Sequence, residues 1–366
     1  MRILIAGGGA AAVEAAANAR LLLPESEIVI FSSEKLLPYR RPLLPRLINA
    51  ESLPGYFFIH NQDFYSQNNI ELRLDTAVAA VDPAGKKIHL ANGQSEHFDS
   101  LLLATGSHAR KLPGNDDALT LHDYGDLEKI RTAFAGNKKV LITGGGVLGL
   151  EIAGELLKNG GKVTVCERSK YLLESVLNES AAEFLKNLLR RKKSLKIILD
   201  SENNPPRLNK SLNISAIGTT PDIVPFTAPY ERKKLQCLQN MQISNLPANS
   251  NIFAAGDCVE CCGKNNLYYA TARQQGKIAG INLAGSQAIY ENNLFEFQAR
   301  FIDTTVYCCG RTVGDDLQCA YDSDKKSLIQ LFYTRDEMLV GCVLINHSVK
   351  SSELRDIIRK NQEFLR

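Results

Sequence analysis

The chain has 366 residues and a mass of 40.3 kDa, which is too long for one ordinary hydrophobic core and predicts two or three domains. Its 43 basic and 40 acidic side chains leave a formal net charge of only +3, which argues against binding to nucleic acid or to an anionic membrane through the global charge. No window offers the roughly 18 uninterrupted apolar residues of a membrane span, and no signal-peptide pattern is present. We therefore expect a soluble cytoplasmic protein with neither a membrane nor a nucleic-acid partner.

The first predicted elements are a strand, a glycine-rich turn and a helix. Residues 3–6 are a short apolar run typical of a buried strand, and Gly7, Gly8 and Gly9 follow it. An alanine-rich helix is predicted over 10–22, and the next strand over 28–31. This order predicts one βαβ unit with its own parallel sheet.

The same order recurs in the middle of the chain. A strand is predicted over 140–143, a turn at 144–146, a helix to about residue 159 and a strand over 162–167. The repeat predicts a second βαβ unit and a second parallel sheet, so the fold class is α/β with two Rossmann-like domains.

The remaining segments complete this organisation. An irregular Pro-rich stretch, a meander and a strand are assigned to the rest of the first domain, at 37–54, 70–97 and 100–104. Farther along we predict a loop, two strands and a helix, at 203–209, 212–217, 252–257 and 268–283. Alternating stretches then predict a small mixed sheet with a closing helix, at 301–307, 328–333, 339–344 and 351–359.

The first glycine-rich turn has the spacing of a dinucleotide fingerprint. Gly7, Gly9 and Ala12 follow a strand and open a helix, where glycine lets the backbone approach a pyrophosphate and the helix amino terminus stabilises its charge. The acidic residue expected near the end of the second strand, to bind a ribose hydroxyl, is Glu34. The alternative for one such motif is a tight turn in a sheet that binds something else.

The second turn repeats the fingerprint with Gly144, Gly146 and Gly149, and its acidic residue is Glu167. A carboxylate there favours NADH, because it repels the 2′-phosphate of NADPH and binds the free 2′-hydroxyl of NADH. The neighbouring Arg168 keeps NADPH, or use of both coenzymes, as the alternative.

Six ordered motifs resemble those of flavoproteins with two dinucleotide-binding domains. They are GGGAAA at 7–12, PYRRPL at 38–43, ATG at 104–106, GGGVLGLE at 144–151, AIGTTPD at 216–222 and AAGD at 254–257. The resemblance covers nearly the whole chain. It is to the pyridine nucleotide-disulfide oxidoreductase superfamily, in the branch of NADH:rubredoxin oxidoreductases and the FAD-binding part of nitrite reductases.

This resemblance implies three domains and two cofactors. FAD would bind a discontinuous domain of residues 1–109 and 219–290, NADH a domain of residues 110–218, and residues 291–366 would form a small α+β domain. On this assignment Glu34 binds the adenosine ribose and Asp257, after Gly256, binds the ribityl chain. The residues beside the cofactor and at the two domain crossings would be Arg41, Pro42, Ala104, Thr105, Gly106 and Gly218. The connection over 200–213 is shorter than is usual in this family, which predicts a trimmed NAD domain.

Arg46 and Glu151 are the predicted catalytic residues. In related reductases a Lys at the position of Arg46 pairs with a Glu at the position of Glu151 near the reactive edge of the flavin. An Arg still neutralises charge there, but as a planar fork that never gives up its proton. The alternative for Arg46 is an ordinary surface residue after Pro45.

All nine cysteines lie at Cys166 or later, so the redox pair of the disulfide reductases and the single Cys of the peroxidases are both absent. Reduced thiols are expected. Cys258, Cys261 and Cys262 have a spacing that a metal or a redox pair could use, but we predict packing residues and no metal site.

The sequence thus predicts an enzyme that passes electrons from NADH through FAD to a separate acceptor, such as a small redox protein. Alternatives are a component of a nitrite reductase or NADH oxidase system, and a slow flavin and NAD sensor or scaffold. A locally basic run around 186–196 indicates either the solvated end of a helix or a docking patch for an acidic redox protein. The oligomeric state is left open between monomer and homodimer.

Overall fold

The computed structural model describes residues 1–201, 211–227, 235–261, 263, 267–291 and 294–364. The predicted loop over 203–209 and Cys262 lie outside them. The chain divides into two compact units, here called unit 1 (Met1–Leu43, Ser52–His108 and Thr219–Glu291) and unit 2 (Leu44–Glu51, Ala109–Gly218 and Asn292–Arg366). The division into three domains remains a prediction.

The strands and helices are numbered here in chain order. The strands are β1 (Arg2–Ala6), β2 (Glu27–Phe31), β3 (Ile70–Arg73), β4 (Val78–Asp82), β5 (Lys87–Leu90), β6 (Ser95–His97), β7 (Ser100–Leu103), β8 (Ser107–Ala109), β9 (Lys139–Thr143), β10 (Lys162–Cys166), β11 (Leu195–Ile198), β12 (Leu212–Ser215), β13 (Thr219–Pro221), β14 (Leu235–Cys237), β15 (Ile252–Ala254), β16 (Val259–Cys261), β17 (Glu296–Phe301), β18 (Thr304–Gly310), β19 (Gln318–Ser323), β20 (Leu328–Tyr333) and β21 (Leu339–Ile345). The helices are α1 (Ala10–Leu22), α2 (Gln62–Gln67), α3 (Tyr124–Gly136), α4 (Val147–Lys158), α5 (Glu179–Leu189), α6 (Tyr269–Leu283) and α7 (Ser351–Phe364). None of the helices in the described part of the chain has the length and apolar character needed to cross a membrane.

Unit 1 is built on a five-stranded sheet in the order β15-β7-β1-β2-β3, and every neighbouring pair is parallel. Strands β1 and β7 are almost wholly buried, because α1 and α6 cover one face of the sheet and residues of β4, β5 and β14 cover the other. The expected meander over 70–97 is partly wrong. Residues 70–73 extend the parallel sheet as β3, and only β4, β5 and β6 form the antiparallel meander.

Helices α1 and α6 cross at close range in unit 1 because small residues face one another. A Cβ added to Gly276 would lie 2.2 Å from the carbonyl oxygen of Ala11, and one added to Gly280 would lie 2.3 Å from that of Ala15. Only glycine allows this approach. The close crossing fixes the position of α1, whose first turn follows the glycine-rich turn.

Unit 2 contains the second parallel sheet, in the order β11-β10-β9-β12. Strands β9 and β10 flank α4 in the chain, as predicted, and α5 leads into β11. This arrangement confirms the second βαβ unit.

The carboxy-terminal part of unit 2 is a five-stranded sheet in the order β17-β18-β21-β20-β19. All of its pairs are antiparallel, so the expected mixed sheet is wrong. The predicted strand over 301–307 exists but begins at Thr304, as β18, since Ile302 and Asp303 form the turn between β17 and β18 with φ of 49° and 61°. Helix α7 is longer than predicted.

Residues Leu44–Glu51, here called the Arg46 segment, group with unit 2. The assignment of 37–54 to the first domain therefore does not hold for these residues. The segment contains a short 3₁₀ helix, Pro45–Asn49, in which Leu47 and Ile48 are buried. Hydrogen bonds to α3 and α4, which are far away in the sequence, explain this position.

Candidate functional site

The first glycine-rich turn is held by backbone contacts on both sides. Gly7 has a φ of +120° and donates its N–H to the carbonyl oxygen of Phe31 at 2.8 Å. A Cβ at Gly7 would lie 2.0 Å from the carbonyl oxygen of Ala104. The Ala104 N–H donates to Ala6 at 2.7 Å. The turn therefore requires glycine and is fixed between β2 and the end of β7.

The second turn has the same contacts in unit 2. Gly144 has a φ of +113° and donates to the carbonyl oxygen of Cys166 at 2.7 Å. A Cβ there would lie 2.3 Å from the carbonyl oxygen of Ala216, whose own N–H donates to Thr143 at 2.7 Å. The two turns are structural repeats of one another.

In each repeat, the third residue of the Gly-Gly-Gly run has free space on the side where a Cβ would lie. A Cβ at Gly9 or Gly146 would meet nothing within 4 Å, and both residues precede helices whose first turns, in these described segments, carry neither a capping side chain nor an acidic residue. An uncapped helix amino terminus with open space above it fits the diphosphate of a dinucleotide. Each glycine-rich turn, with the start of the helix that follows it, is here called a cradle. Both cradles have the backbone geometry that the sequence predicts.

The third fingerprint position differs between the repeats. Ala12 is fully buried in unit 1. Gly149 occupies the same place in unit 2, where a Cβ would lie 2.0 Å from the carbonyl oxygen of Gly144. The second turn is thus packed more tightly against its helix than the first.

Glu34 follows β2, and side chains hold its carboxylate. It accepts a hydrogen bond from the Tyr39 hydroxyl at 2.6 Å and forms an ion pair with Arg41. Tyr39 in turn stacks on Phe57, with ring centroids 4.8 Å apart. Pro42 lies beside Arg41 in a short 3₁₀ helix and is exposed. The structure thus brings Glu34 and Arg41 together near the first turn.

Glu167 follows β10, and the backbone holds its carboxylate. One oxygen accepts the N–H of Gly145 at 2.6 Å, and the other accepts the N–H of Ser169 at 2.8 Å. Each carboxylate oxygen has a second lone pair that a ribose hydroxyl can use. Arg168 beside it is exposed.

Asp257 lies directly after Gly256, which has a φ of +88° and donates its N–H to Gln275 at 2.8 Å. The Ser107 hydroxyl lies 3.3 Å from the Asp257 carboxylate. Thr105, two residues before Ser107, donates its hydroxyl to the backbone carbonyl of Asp222. These contacts place the predicted AAGD and ATG motifs side by side in unit 1.

Gly106 and Gly218 lie near two of the places where the chain passes between the units. Both have positive φ, +76° and +93°. Next to them β8 and β13 form a two-stranded ladder. Asp222 donates its N–H to Gly106 at 2.9 Å, and Gly218 accepts the N–H of Arg110 at 3.0 Å. Glycine is needed at both positions for this backbone conformation.

Arg46 and Glu151 both belong to unit 2, and the charge of Arg46 acts on the Glu151 carboxyl. Burial raises the pKa of Glu151 to about 7, Arg46 opposes that rise, and Glu155 adds to it. The part of the chain that the structure describes contains no salt bridge between Arg46 and Glu151 at 4 Å or less. Glu151 is therefore a carboxyl group that can gain or lose a proton near neutral pH.

Glu14 occupies in α1 the place that Glu151 occupies in α4, seven residues after the first glycine of the turn. Unlike Glu151, it forms an ion pair with Arg273 of α6. This correspondence follows from the sequence once the two fingerprints are aligned on their first glycines, Gly7 and Gly144.

Burial raises the pKa of Cys258, which lies against the backbone of Thr105 and Gly106, and raises that of Cys237. All eight cysteines among the described residues are free, and seven of them are buried. The described residues contain no group of three His, Cys, Asp or Glu side chains that could hold a metal ion. The role of Cys258, Cys261 and Cys262 remains a prediction.

The basic run lies at the end of α5 and contacts the carboxy-terminal sheet of unit 2. Arg191 donates to the backbone carbonyl of Lys325 at 2.8 Å, which brings the tip of the β19–β20 hairpin next to the end of α5. This surface precedes β11, at the amino ends of the parallel strands, whereas Gly145 and Glu167 lie at their carboxyl ends. The five residues of β9 and of β10 separate the two edges, a distance of roughly 17 Å. A partner bound there would be remote from the second turn.

Comparison with known proteins agrees with this geometry. The sequence profile of the pyridine nucleotide-disulphide oxidoreductase family matches residues 1–288, and the chain belongs to that family. It is therefore an FAD-dependent oxidoreductase that uses a pyridine nucleotide.

Among particular relatives, the chain is 27% identical to the NADH-rubredoxin oxidoreductase of Clostridium acetobutylicum over 369 residues, covering 99% of this chain and 96% of the relative. It is 33% identical over 385 residues to the 3-phenylpropionate/cinnamic acid dioxygenase ferredoxin–NAD(+) reductase component of Photorhabdus laumondii, covering 97% and 95%. The crystal structure of NADH:rubredoxin oxidoreductase from C. acetobutylicum superposes with a TM-score of 0.82 at 26% identity, covering 98% of this chain and 95% of that one.

Proposed function

We propose that this protein oxidises NADH at a bound FAD and delivers the electrons to a small, separate redox protein. The observation that carries the proposal is the repeated glycine-rich turn, with an open face at Gly9 in unit 1 and at Gly146 in unit 2. Two cradles in one chain match one flavin and one nicotinamide dinucleotide.

The residues around each cradle have proposed roles in binding. Gly7, Gly9 and Ala12 hold the FAD diphosphate, Glu34 with Arg41 and Pro42 lies at the adenosine end, and Asp257 binds the ribityl chain. Gly144, Gly146 and Gly149 hold the diphosphate of NADH, and Glu167 binds its ribose. The Glu167 carboxylate is preset by two backbone N–H groups, so it resists the 2′-phosphate of NADPH without first having to reorient.

Bound FAD supplies the chemistry, because it accepts a hydride from NADH and releases electrons singly or in pairs. Arg46 would contribute a permanent positive charge that opposes the rise in the pKa of the Glu151 carboxyl. Glu151 holds or releases a proton near neutral pH, since its pKa is about 7. These are the roles that we assign to the two predicted catalytic residues.

The names of the relatives support a protein acceptor. The C. acetobutylicum relative is a rubredoxin oxidoreductase and the P. laumondii relative is a ferredoxin reductase. No cysteine precedes Cys166, so a dithiol near the first helix cannot relay the electrons. We therefore assign the acceptor to the class of small iron-sulfur or rubredoxin-type proteins. The proposed location is the cytoplasm, supported by the free thiols of the described cysteines.

An anaerobic titration with NADH tests the proposal. The flavin absorbance should bleach at about one NADH per flavin, and rubredoxin or a [2Fe-2S] ferredoxin should then restore it. The variant Gly146→Ala should keep its flavin but need far more NADH to bleach. Rapid reoxidation by nitrite or oxygen, with none by either protein, would move the assignment to a nitrite reductase or oxidase system. A flavin that NADH leaves unbleached would support a scaffold instead.

A further inference from the structure

The Arg46 segment is tied to two helices of unit 2 by hydrogen bonds that the proposed chemistry does not itself require. Asn49 donates to the backbone carbonyl of Glu155 at 2.7 Å and lies 3.3 Å from its carboxylate. Asn159 donates to the Asn49 side-chain oxygen at 2.7 Å. Asn49 thus connects the segment to the carboxyl-terminal turn of α4, the helix that carries Glu151.

A second attachment comes from α3. The Arg131 guanidinium donates to the carbonyl of Leu47 from Nη2 at 2.7 Å and from Nε at 3.1 Å, and it also donates to the carbonyl of Ala50. Its remaining nitrogen lies 3.0 Å from Glu128. One planar group therefore binds two carbonyls at the end of the 3₁₀ helix, a geometry that suits arginine and not lysine.

We propose that Asn49 and Arg131 are positioning residues that hold the Arg46 segment on α3 and α4, so that the Arg46 charge acts on Glu151. Arg46 itself is exposed and forms no salt bridge with Glu151 among the described residues. The hydrogen bonds of Asn49 and Arg131 therefore fix the backbone of the segment relative to α4, and with it the point from which the Arg46 side chain extends. This inference rests on the proposed function, because it assigns a task to Arg46 and Glu151.

The charged groups around Glu151 give the inference a direction. Arg46, from the segment, favours the ionised carboxyl, and Glu155, one turn along α4, opposes it. Lys158 lies 2.6 Å from Glu155 and neutralises part of that second charge. Loosening the segment removes the Arg46 influence, so Glu151 should hold its proton to a higher pH.

The first measurement is hydrogen exchange of the backbone amides in the Arg46 segment, and it does not depend on turnover. Asn49→Ala and Arg131→Lys should each accelerate exchange of the Leu47 and Ala50 amides about tenfold, because each removes ordered hydrogen bonds. Asn187→Ala, at an exposed asparagine of α5, is the matched control and should leave the segment unchanged. Unchanged exchange in both Asn49→Ala and Arg131→Lys would overturn the proposal.

The second measurement is the pH dependence of flavin bleaching by NADH. The midpoint assigned to Glu151 should move upward by roughly half a unit in Asn49→Ala. Arg46→Gln should move it in the same direction, and the double variant should match Arg46→Gln alone, since Asn49 acts through Arg46. Shifts that simply add would overturn the positioning role. If NADH fails to bleach the wild-type flavin, the proposed function fails. The exchange measurement still decides whether Asn49 and Arg131 hold the Arg46 segment in place.

Discussion

Both strand–turn–helix repeats have a glutamate at the same position, but the charged residues around the two glutamates differ. Glu14 in α1 is paired with Arg273 of α6. Glu151 in α4 forms no salt bridge with Arg46 among the described residues. Burial raises its pKa to about 7, and the charge of Arg46 opposes that rise. The glutamate at this position therefore pairs α1 with α6 in unit 1. In unit 2, in our proposal, it gains and loses a proton.

The acidic residues after the second strand of each repeat also differ. Glu34 is held by the side chains of Tyr39 and Arg41, whereas Glu167 is held by backbone N–H groups of Gly145 and Ser169. The backbone arrangement forms whenever the turn forms. In our proposal, the acid that backbone groups hold binds NADH, which enters and leaves repeatedly, and the acid that side chains hold binds FAD, which stays bound.

The largest expected effect concerns the feature that both repeats share. Gly144→Ala should destabilise the protein by roughly 3 kcal/mol, because the alanine needs a positive φ and its Cβ would overlap the Ala216 carbonyl. The control Gly146→Ala should change stability by less than about 0.5 kcal/mol. Urea unfolding of the two variants gives the comparison. Equal losses would show that the open face at Gly146 is not open.

Glu151→Gln should sharpen the contrast between the two glutamates. The folded-state pKa of Glu151 is about 7, above the ordinary value of 4.5, so the folded protein binds more protons than the unfolded chain between those pH values. Its wild-type contribution to stability therefore falls as the pH rises from about 4.5 to 7 and is level above that.

Glutamine has no carboxyl to titrate, so Glu151→Gln should gain about 3 kcal/mol over wild type at pH 8 relative to pH 4. Urea midpoints at the two pH values measure the gain. Glu14→Gln is the matched control, and an equal pH-dependent gain there would erase the proposed difference between the repeats.

Glu167→Gln tests the acid of the second repeat. Losing the charge should lower the preference for NADH over NADPH roughly tenfold, because a charged hydrogen bond to the ribose disappears together with the repulsion of the 2′-phosphate. Flavin bleaching rates with the two coenzymes provide the ratio. Glu174→Gln, at an exposed glutamate in the following turn, should leave that ratio alone. An unchanged ratio in Glu167→Gln would remove this residue from coenzyme selection.

The smallest expected effect is on the ion pair of the first repeat. Arg273→Met should cost less than about 1 kcal/mol, since the pair is partly exposed and screened by salt. Thermal unfolding at low and high ionic strength checks it. A loss of several kcal/mol would mean that α1 and α6 depend on this pair more than on the glycine contacts between them.

The sequence predicted the repeats because short apolar strands, glycine triplets and acids at fixed spacing are local signals. It could not predict that residues 70–73 join the parallel sheet, since strand pairing is decided by distant partners. The turn at Ile302 and Asp303 was missed because neither glycine nor asparagine marks its positive φ angles. Strand β19 was missed because all six of its residues are exposed.

The candidate site shows the same division. Glu34 and Glu167 were found from their spacing to the glycines, and the structure places each beside its turn. The attachment of the Arg46 segment was missed because it depends on Asn49 and Glu155, which are 106 residues apart in the sequence. No periodicity in a single sequence connects such a pair.

The pairing of β15 with β7 has a consequence for biosynthesis. Ala254 lies opposite Leu103, so a nascent chain must grow by about 150 residues before the first sheet gains its edge strand and Asp257 reaches its place. At roughly 5–20 residues per second this takes on the order of 10 s. The second βαβ unit is complete in sequence by then. Under the roles proposed for the two turns, the second turn should be complete in a ribosome-bound intermediate before the first, and flavin capture should be a late event in maturation.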